Sequence, residues 1–466
     1  MQRTYIKNLK EKIGQEVKIN GWIDIRRDQG KLIFLDFRDM SGYVQGVILP
    51  KSEAHEIGEK VRPEWVVEVQ GLVNKRPEKS VQPEKLNGDI ELEIKEIVVL
   101  NEAETPPIDV QSDGHEIGEE HRLKYRYLDL RRPRLQKNIR HRHRVVKFVR
   151  DFLDKEGFTE IETPVLTKST PEGARDYIVP SRLEPGHFYA LPQSPQQYKQ
   201  LLMAAGLEKY FQFAKCMRDE DTRGDRQPEF TQLDLEMSFV DQDDVMALNE
   251  KLLIEMVQAI YPDKKIQEIP FPRISYAETM EKYQTDRPDL REDKNDPNVL
   301  AFCWIIDFPF FEKTDKGAWT FTHNPFSGAK TEHQDWLKNK ENIDQILTSQ
   351  YDIVLNGYEI GGGSIRNHNP EALTSVFEIM GYSKESIEKS FGHMLDAFKS
   401  GTPPHGGIAW GFDRLMMILE NEPNIREVIA FPKTGEGRDL MMDSPSEVSD
   451  EQLRELGISL KKKSQG

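Results

Sequence analysis

The sequence predicts an α+β protein: a small N-terminal β-barrel, then a larger domain with an antiparallel sheet flanked by helices. Three observations predict it. Residues 1 to about 104 hold short alternating strand-like runs separated by glycine turns. Residues 211–239 read as two strands whose shared face is polar. Helical periodicities flank that pair, in Val145, Phe148/Val149 and Phe152/Leu153 before it and in 243–260 after it. The expected boundaries are a barrel over 1–104, a hinge over 105–138 and the larger domain over 139–466.

The bulk properties limit the function. At 466 residues the chain exceeds one compact core and calls for two or three domains. It is 37% hydrophobic and 31% charged with a mean hydropathy of -0.66, and no apolar run approaches the ~18 residues of a membrane span. Its start, MQRTYIKNLKEKIG, has no apolar signal core, and Cys216 and Cys303 stand far apart. A reducing cytoplasm is expected, with no disulfide framework or thiolate metal site. The net charge of -16 disfavours indiscriminate adhesion to nucleic acid, but Arg122–Arg150 carries twelve Lys or Arg and one acid, Asp129. That block is either a solvated interdomain face or a phosphate contact.

In the barrel, Ile33, Leu35 and Phe37 fall on one strand face and Phe34, Asp36 and Arg38 on the other. Phe34 is an aromatic on the polar face, just after Arg26 and Arg27. Short strands with glycine turns suggest an OB-fold, which stacks single-stranded bases on such rings. Packing at the barrel rim is the competing reading of Phe34.

Asn101–Gly118 is polar, contains Pro106-Pro107 and reads as a linker. A helix follows, with Gly157 as its C-cap, and then a strand ending at Pro164. Residues 171–177, Pro171 to Tyr177, form a charged glycine-containing loop. Ser194-Pro195-Gln196-Gln197 reads as a helix start with a serine N-cap and a capping box. Gln196 and Lys199 share a face there, so Lys199 is either an anion ligand or an ordinary exposed lysine.

In the 211–239 pair, Arg218 and Glu220 point one way, and Phe230, Gln232, Asp234 and Glu236 share a face. Buried ionisable groups cost several kcal/mol unless paired or used, so this face suggests a charged, hydrogen-bonding ligand. A solvated edge hairpin is the alternative. Residues 351–366 are a second unusual pair, with Asp352, Glu359 and Arg366 seven apart. A flat strand would send neighbours in that series to opposite faces, whereas bulges at the glycines could restore one face. Two carboxylates near an arginine would suit Mg2+ carried by a nucleotide. His323 is a lone histidine with no second His or Cys at metal-ligand spacing. Residues 405–419 read as strand, glycine and helix, with Arg414 opposing the dipole in the first turn unless it faces phosphate.

Taken in order, the helix–strand ending at Pro164, Arg218-Asp219-Glu220 with its return strand, and Gly411-Phe412-Asp413-Arg414 resemble the three motifs of the class II aminoacyl-tRNA synthetases. The barrel resembles the OB anticodon-binding domain of the subgroup serving aspartate, asparagine and lysine. PEGARDY, LPQSPQQYKQ, GYEIGGGSIR and IAFPKT are similar to the bacterial aspartyl members. The resemblance covers nearly the whole chain.

It implies an ATP-dependent ligase that forms aspartyl-adenylate and transfers aspartate to the 3′ end of tRNA(Asp). Arg218, Glu220 and Arg414 are the implied catalytic groups. Gln227, Phe230, Glu359, Gly411, Phe412 and Asp413 join them around ATP, and Asp352 and Glu359 hold Mg2+. Lys199 and Arg366 read the aspartate side chain. Glu172, Gln196 and Asp234 surround its ammonium, and Arg218 and His323 complete the amino-acid site. A neutral asparagine amide is expected to leave two buried cations unpaired and to be rejected. Arg27, Phe34 and Gln45 grip anticodon bases, and the first motif implies a homodimer.

Two departures stand out. The GAD domain usual in bacterial members is absent, with only Arg291–Leu300 at its expected place. Asn324 follows His323 where many members have a second histidine. An enzyme that also charges tRNA(Asn), and an inactive RNA-binding paralogue, are the alternatives.

Overall fold

The computed structural model describes residues 1–169 and 173–461. The chain divides into two compact units, Met1–Val110 and Gln111–Gly466. From Gln111 onward, the segment expected to be a hinge is therefore built into the second unit.

The first unit is a closed five-stranded barrel. Its strands are Glu16–Gln29, Leu32–Asp39, Gly42–Ile48, Val66–Lys75 and Ile90–Asn101. The third pairs with the fifth in parallel, and the other pairings are antiparallel. Period-two alternation fills the interior: Ile33, Leu35 and Phe37 are buried with Val17, Ile19, Val69 and Leu92. Their neighbours Phe34 and Asp36 face outward.

The second unit is built on an eight-stranded sheet. Across it run Arg273–Ser275, Phe302–Ile306, Gln350–Leu355, Tyr358–Ile365, His405–Gly411, Glu229–Ser238, Lys209–Met217 and Thr159–Glu160. The inner pairings are antiparallel, but both edge strands pair in parallel, so the sheet is mixed where an antiparallel one was expected. Parallel pairing at the edges follows from chain that returns through helical or irregular crossovers.

One face of this sheet packs against the helices Pro133–Lys155, Gln242–Ile260 and Phe412–Leu419. Leu233, Leu235, Met237, Ile353, Ile408 and Trp410 meet Val145, Val149, Leu252 and Met256 in that core. The helix starting at Gln242 is capped by Asp241 in a capping box. The opposite face of the same strands is polar.

The basic block divides: Lys124, Lys137, Arg140, Arg144, Lys147 and Arg150 are exposed, whereas its other arginines are wholly or partly buried. Arg122 pairs with Glu427 at 2.7 Å, and Arg126 and Arg132 reach Asp129 at 2.7 and 2.6 Å. Arg126 also donates to the carbonyls of Arg426, Ile429 and Ala430. Arg134 binds Glu422 and Glu427. Partners some 300 residues away engage Arg122, Arg126 and Arg134 and tie residues 422–430 to the start of the long helix, while Arg132 pairs locally with Asp129 and Ser112.

Candidate active site

Strand pairing assembles the polar face. Gln232, Asp234 and Glu236 stand opposite Gly411, Ala409 and Gly407, and Gly362 and Ser364 come next, opposite Ala409 and Gly407. Side chains missing from this row leave room above the sheet: a Cβ on Gly407 would lie 2.2 Å from Glu236 Oε2. On the far side Gly362 pairs with Asp352, and Ser364 with Gln350.

The seven-residue spacing of Asp352, Glu359 and Arg366 is reconciled by a bulge. Ile353 pairs with Gly361, and the next pair is Val354 with Glu359. The extra residue, Ile360, carries Glu359 onto the face of Asp352. A Cβ on Gly362 would be 2.8 Å from Asp352 Oδ1 and 3.7 Å from Glu359 Oε1, so glycine keeps the space between the two carboxylates open. Burial first, and then the charge of Glu359, push the Asp352 carboxyl well above its ordinary range. A buried carboxylate facing another, both hard oxygen donors, fits a divalent cation. Among the described residues no group of three or more His, Cys, Asp or Glu forms a complete metal cage.

At the other end of the face lies a buried ion cluster. Lys199 Nζ is 2.6 Å from Asp234 Oδ1 and 3.2 Å from Glu236 Oε2. Arg366 donates to Glu236 through Nε at 2.8 Å and Nη2 at 3.0 Å, and to Ser364 Oγ through Nη1 at 2.9 Å. Burial pushes the Glu236 carboxyl up, but Arg366 and Lys199 outweigh it and hold the group at about 2. Burial raises Asp234, and Lys199 only partly offsets it. Asp234 Oδ2 is buried, and the buried Tyr210 hydroxyl is the Asp234 carboxylate's other hydrogen-bonding neighbour besides Lys199.

This geometry corrects the expected basis for rejecting asparagine. Lys199 and Arg366 already have carboxylate partners, so a neutral ligand would not leave bare cations. What a ligand can meet is the remaining N–H donors on the two cations and the Asp234 carboxylate, which Tyr210 also adjoins. Glu236, which pairs both cations, was visible in the even spacing of its strand, but its pairing role was not.

Between these ends a cavity of about 220 Å3 is lined by Arg218, Glu220, Gln227, Phe230, Glu359, Gly411, Asp413 and Arg414, among others. The Arg218 guanidinium lies 5.1 Å from the Phe230 ring centroid. Arg414 is 3.1 Å from Asp225 and also donates to the Glu359 carbonyl. Gln227 borders the cavity with its amide bonded to the backbone of Lys433 at both ends. Asp413 accepts from Thr231 N–H at 2.8 Å and lies 2.6 Å from Arg142. Phe412, expected beside ATP, instead sits in the core on the other side of the sheet, edge-on to Phe213 at 5.2 Å. Phe412 opens the helix Phe412–Leu419 and lies, with Leu415, Met416 and Leu419, on the side of that helix buried in the core.

His323 stands near Asp352, 3.9 Å from its Oδ2, and edge-on to Phe308. Asn324 turns its Oδ1 back to the Phe326 N–H at 2.7 Å. The helix expected to start at Ser194 runs Gln196–Ala204 without a capping box: Ser194 Oγ accepts from Gln196 N, and Gln197 meets His393 at 2.8 Å instead. Glu172 lies outside the described residues.

In the barrel, Arg27, Phe34 and Gln45 come together on one outer face. Arg27 is cross-strand from Phe34, and Asp36 from Gln45. Arg27 donates to Asp36 at 2.9 Å and to Gln45 at 3.4 Å.

The sequence that folds into this polar, glycine-floored mixed sheet and five-stranded barrel matches two family profiles. Residues 118–435 match the class II tRNA synthetases (D, K and N), and residues 17–100 match the OB-fold nucleic acid binding domain. The chain therefore belongs to the class II tRNA synthetases of the aspartate, lysine and asparagine group, and its relatives place it in the aspartate–tRNA ligase family.

It is 40% identical to the aspartate–tRNA ligase of Staphylococcus carnosus, over 96% of this chain and 97% of that protein. It is 42% identical to the aspartate–tRNA(Asp/Asn) ligase of Rubrobacter xylanophilus, over 96% and 95%. The first alignment spans 576 positions against 466 residues here, so more than 100 positions of that relative have no counterpart. In fold the chain is similar to the Pyrococcus horikoshii asparaginyl-tRNA synthetase complexed with asparaginyl-adenylate. That match has a TM-score of 0.76 at 24% identity and covers 93% of this chain and 98% of that one.

Proposed function

We propose that the chain activates L-aspartate with ATP and transfers it to the 3′ end of tRNA(Asp), with the second unit as the catalytic domain and the barrel as the anticodon reader. The observation that carries this reading is the buried Lys199–Asp234–Glu236–Arg366 cluster beside the Arg218/Phe230/Arg414 cavity. Lys199 and Arg366 donate to the side-chain carboxylate of aspartate, while Asp234 Oδ2, with Gln196 and Glu172, accepts from its ammonium.

The adenine stacks on Phe230, and Arg218 meets the α-phosphate and the aspartate α-carboxylate. Arg414 leaves Asp225 for the γ-phosphate. Glu220 and Gln227 border the nucleotide, and His323 stands at the Asp352 end. Asp352 and Glu359 would hold Mg2+, which when bound supplies charge neutralisation to the phosphates. The aspartate carboxylate attacks the α-phosphorus in line and pyrophosphate leaves. The 3′-hydroxyl of the tRNA then attacks the adenylate carbonyl and releases AMP. Fixed cations and orientation supply the rate, with no covalent enzyme intermediate.

Arg27, Phe34 and Gln45 form the anticodon-binding face, with splayed bases stacking on Phe34. A homodimer is supported by the first motif and by Val165 and Leu166, which are 49% and 53% exposed just beyond it. No helix among the described residues is long and apolar enough to cross a membrane. Function in the cytoplasm follows from the need for ATP and tRNA.

The second reading, an enzyme that also charges tRNA(Asn), is favoured by the Asp/Asn name of the Rubrobacter relative. Charging transcripts of both tRNAs with labelled aspartate separates the two. A strong preference for tRNA(Asp) is expected, and equal charging would establish the second. Light scattering should give twice the monomer mass, and a monomer would overturn the dimer.

A further inference from the structure

Behind the amino-acid site runs a hydrogen-bond relay that the activation chemistry does not use. His405 Nδ1 lies 2.8 Å from the Pro403 carbonyl, and His405 Nε2 lies 3.2 Å from Gln200 Nε2. Gln200 Oε1 in turn accepts from Gln196 Nε2 at 2.9 Å. His405, Gln200 and Gln196 are all buried.

Each orientation in the relay follows from the one before. A backbone carbonyl can only accept, so the His405 proton is on Nδ1. Burial pushes this imidazole pKa down, against an opposing pull from Glu236, and the ring stays neutral at pH 7. Nε2 is then a lone-pair acceptor, so Gln200 must turn its NH2 toward it. The carbonyl end of Gln200 then faces Gln196, which must donate with its own NH2. That leaves Gln196 Oε1 as the free end of the relay, one helical turn before Lys199. Reversing any amide would set two donors or two acceptors face to face in a buried site, where water cannot satisfy them.

We propose that His405 and Gln200 are positioning residues for the amino-acid site: through this relay they fix the Gln196 amide with its carbonyl oxygen toward the ammonium of the bound amino acid. The proposal rests on the reading that Gln196 faces that ammonium. It assigns to a histidine remote from the nucleotide a share in recognising the α-amino group.

The test uses aspartate-dependent ATP–pyrophosphate exchange by the full chain, with succinate, which is aspartate without its amino group, as a competitive inhibitor. His405→Phe and Gln200→Met are each expected to raise KM for aspartate about tenfold, the worth of one charge-assisted hydrogen bond. The double variant should lose no more than either single one. The Ki of succinate and KM for ATP should stay within about twofold of wild type in both. His405→Gln, which can still present an acceptor, should recover most of the affinity. Should His405→Phe not fold, Gln200→Met carries the same test, because it breaks the relay one bond nearer the site.

Equal weakening of aspartate and succinate would show a packing role and overturn the relay. An unchanged KM for aspartate in Gln200→Met, when Gln196→Met raises it, would overturn the relay and leave the ammonium reading intact. An unchanged KM in Gln196→Met would overturn that reading and the proposal together.

Discussion

Replacing Glu236 with glutamine tests the electrostatics of the amino-acid site most severely. Glu236 is fully buried and meets Arg366 at 2.8 and 3.0 Å and Lys199 at 3.2 Å. Its carboxyl sits at about 2 in the folded protein, against an ordinary value of 4.5. A depression of that size corresponds to about 3 kcal/mol of folding stability at neutral pH. An independent route gives a similar figure, since removing one partner from a buried ion pair costs about 3–5 kcal/mol. Because the folded-state value lies below the unfolded one, the contribution is complete above pH ~4.5 and is lost as the pH falls toward 2. In urea, at a slope of about 3 kcal/mol per M, the midpoint of the larger unit should fall by about 1 M at pH 7. The gap between wild type and variant should narrow below pH ~4.5. Saturating aspartate should restore part of the loss, because the ligand brings a carboxylate to the two cations. An unchanged midpoint at pH 7, or a gap as wide at pH 3 as at pH 7, would refute the claim that Glu236 is an ionised partner of both.

Three further outcomes follow from the same geometry. Gly362→Ala places a methyl 2.8 Å from Asp352 Oδ1, and should lower the exchange rate at least tenfold and raise the Mg2+ concentration for half-maximal activity; wild-type behaviour would mean the space between the carboxylates is not used. Phe34→Ala in the barrel should weaken tRNA charging by about 1–3 kcal/mol in kcat/KM while leaving aspartate-dependent exchange intact, and a parallel fall in exchange would contradict that separation of roles. Arg126→Met removes donors to three carbonyls and to Asp129, and should destabilise the larger unit by several kcal/mol in urea without altering the barrel's own transition; no change would show that the buried cluster does not anchor 426–430.

Much of this site could be read before the fold was known. The even spacing from Phe230 to Glu236 gave a polar strand face because period-two alternation is local. The same rule put Ile33, Leu35 and Phe37 inside the barrel and left Phe34 outside it. Properties set by long-range contacts were not legible. That Arg122 and Arg134 are drawn out of solvent depends on Glu422 and Glu427, nearly 300 residues on, and no local pattern reports them. The bulge that turns Glu359 toward Asp352 was expected at the glycines but falls at Ile360. Phe412 was misread because a contiguous motif hides the change from strand to helix after Gly411, which turns this ring into the core. The His405 relay was invisible for the same reason as the arginine block: its three members come from a helix and a distant strand, and their order is fixed only by a carbonyl at Pro403.

The measurement that bears most directly on the central claim is ATP–pyrophosphate exchange by the purified chain with L-aspartate or L-asparagine as the only amino acid. The remaining N–H donors of Lys199 and Arg366 can each meet one oxygen of a carboxylate, whereas an amide has a single acceptor oxygen and sets its NH2 against the second donor. This predicts robust exchange with aspartate and at least a hundredfold lower kcat/KM with asparagine, about 3 kcal/mol. No exchange with aspartate, or equal exchange with the two amino acids, would contradict it.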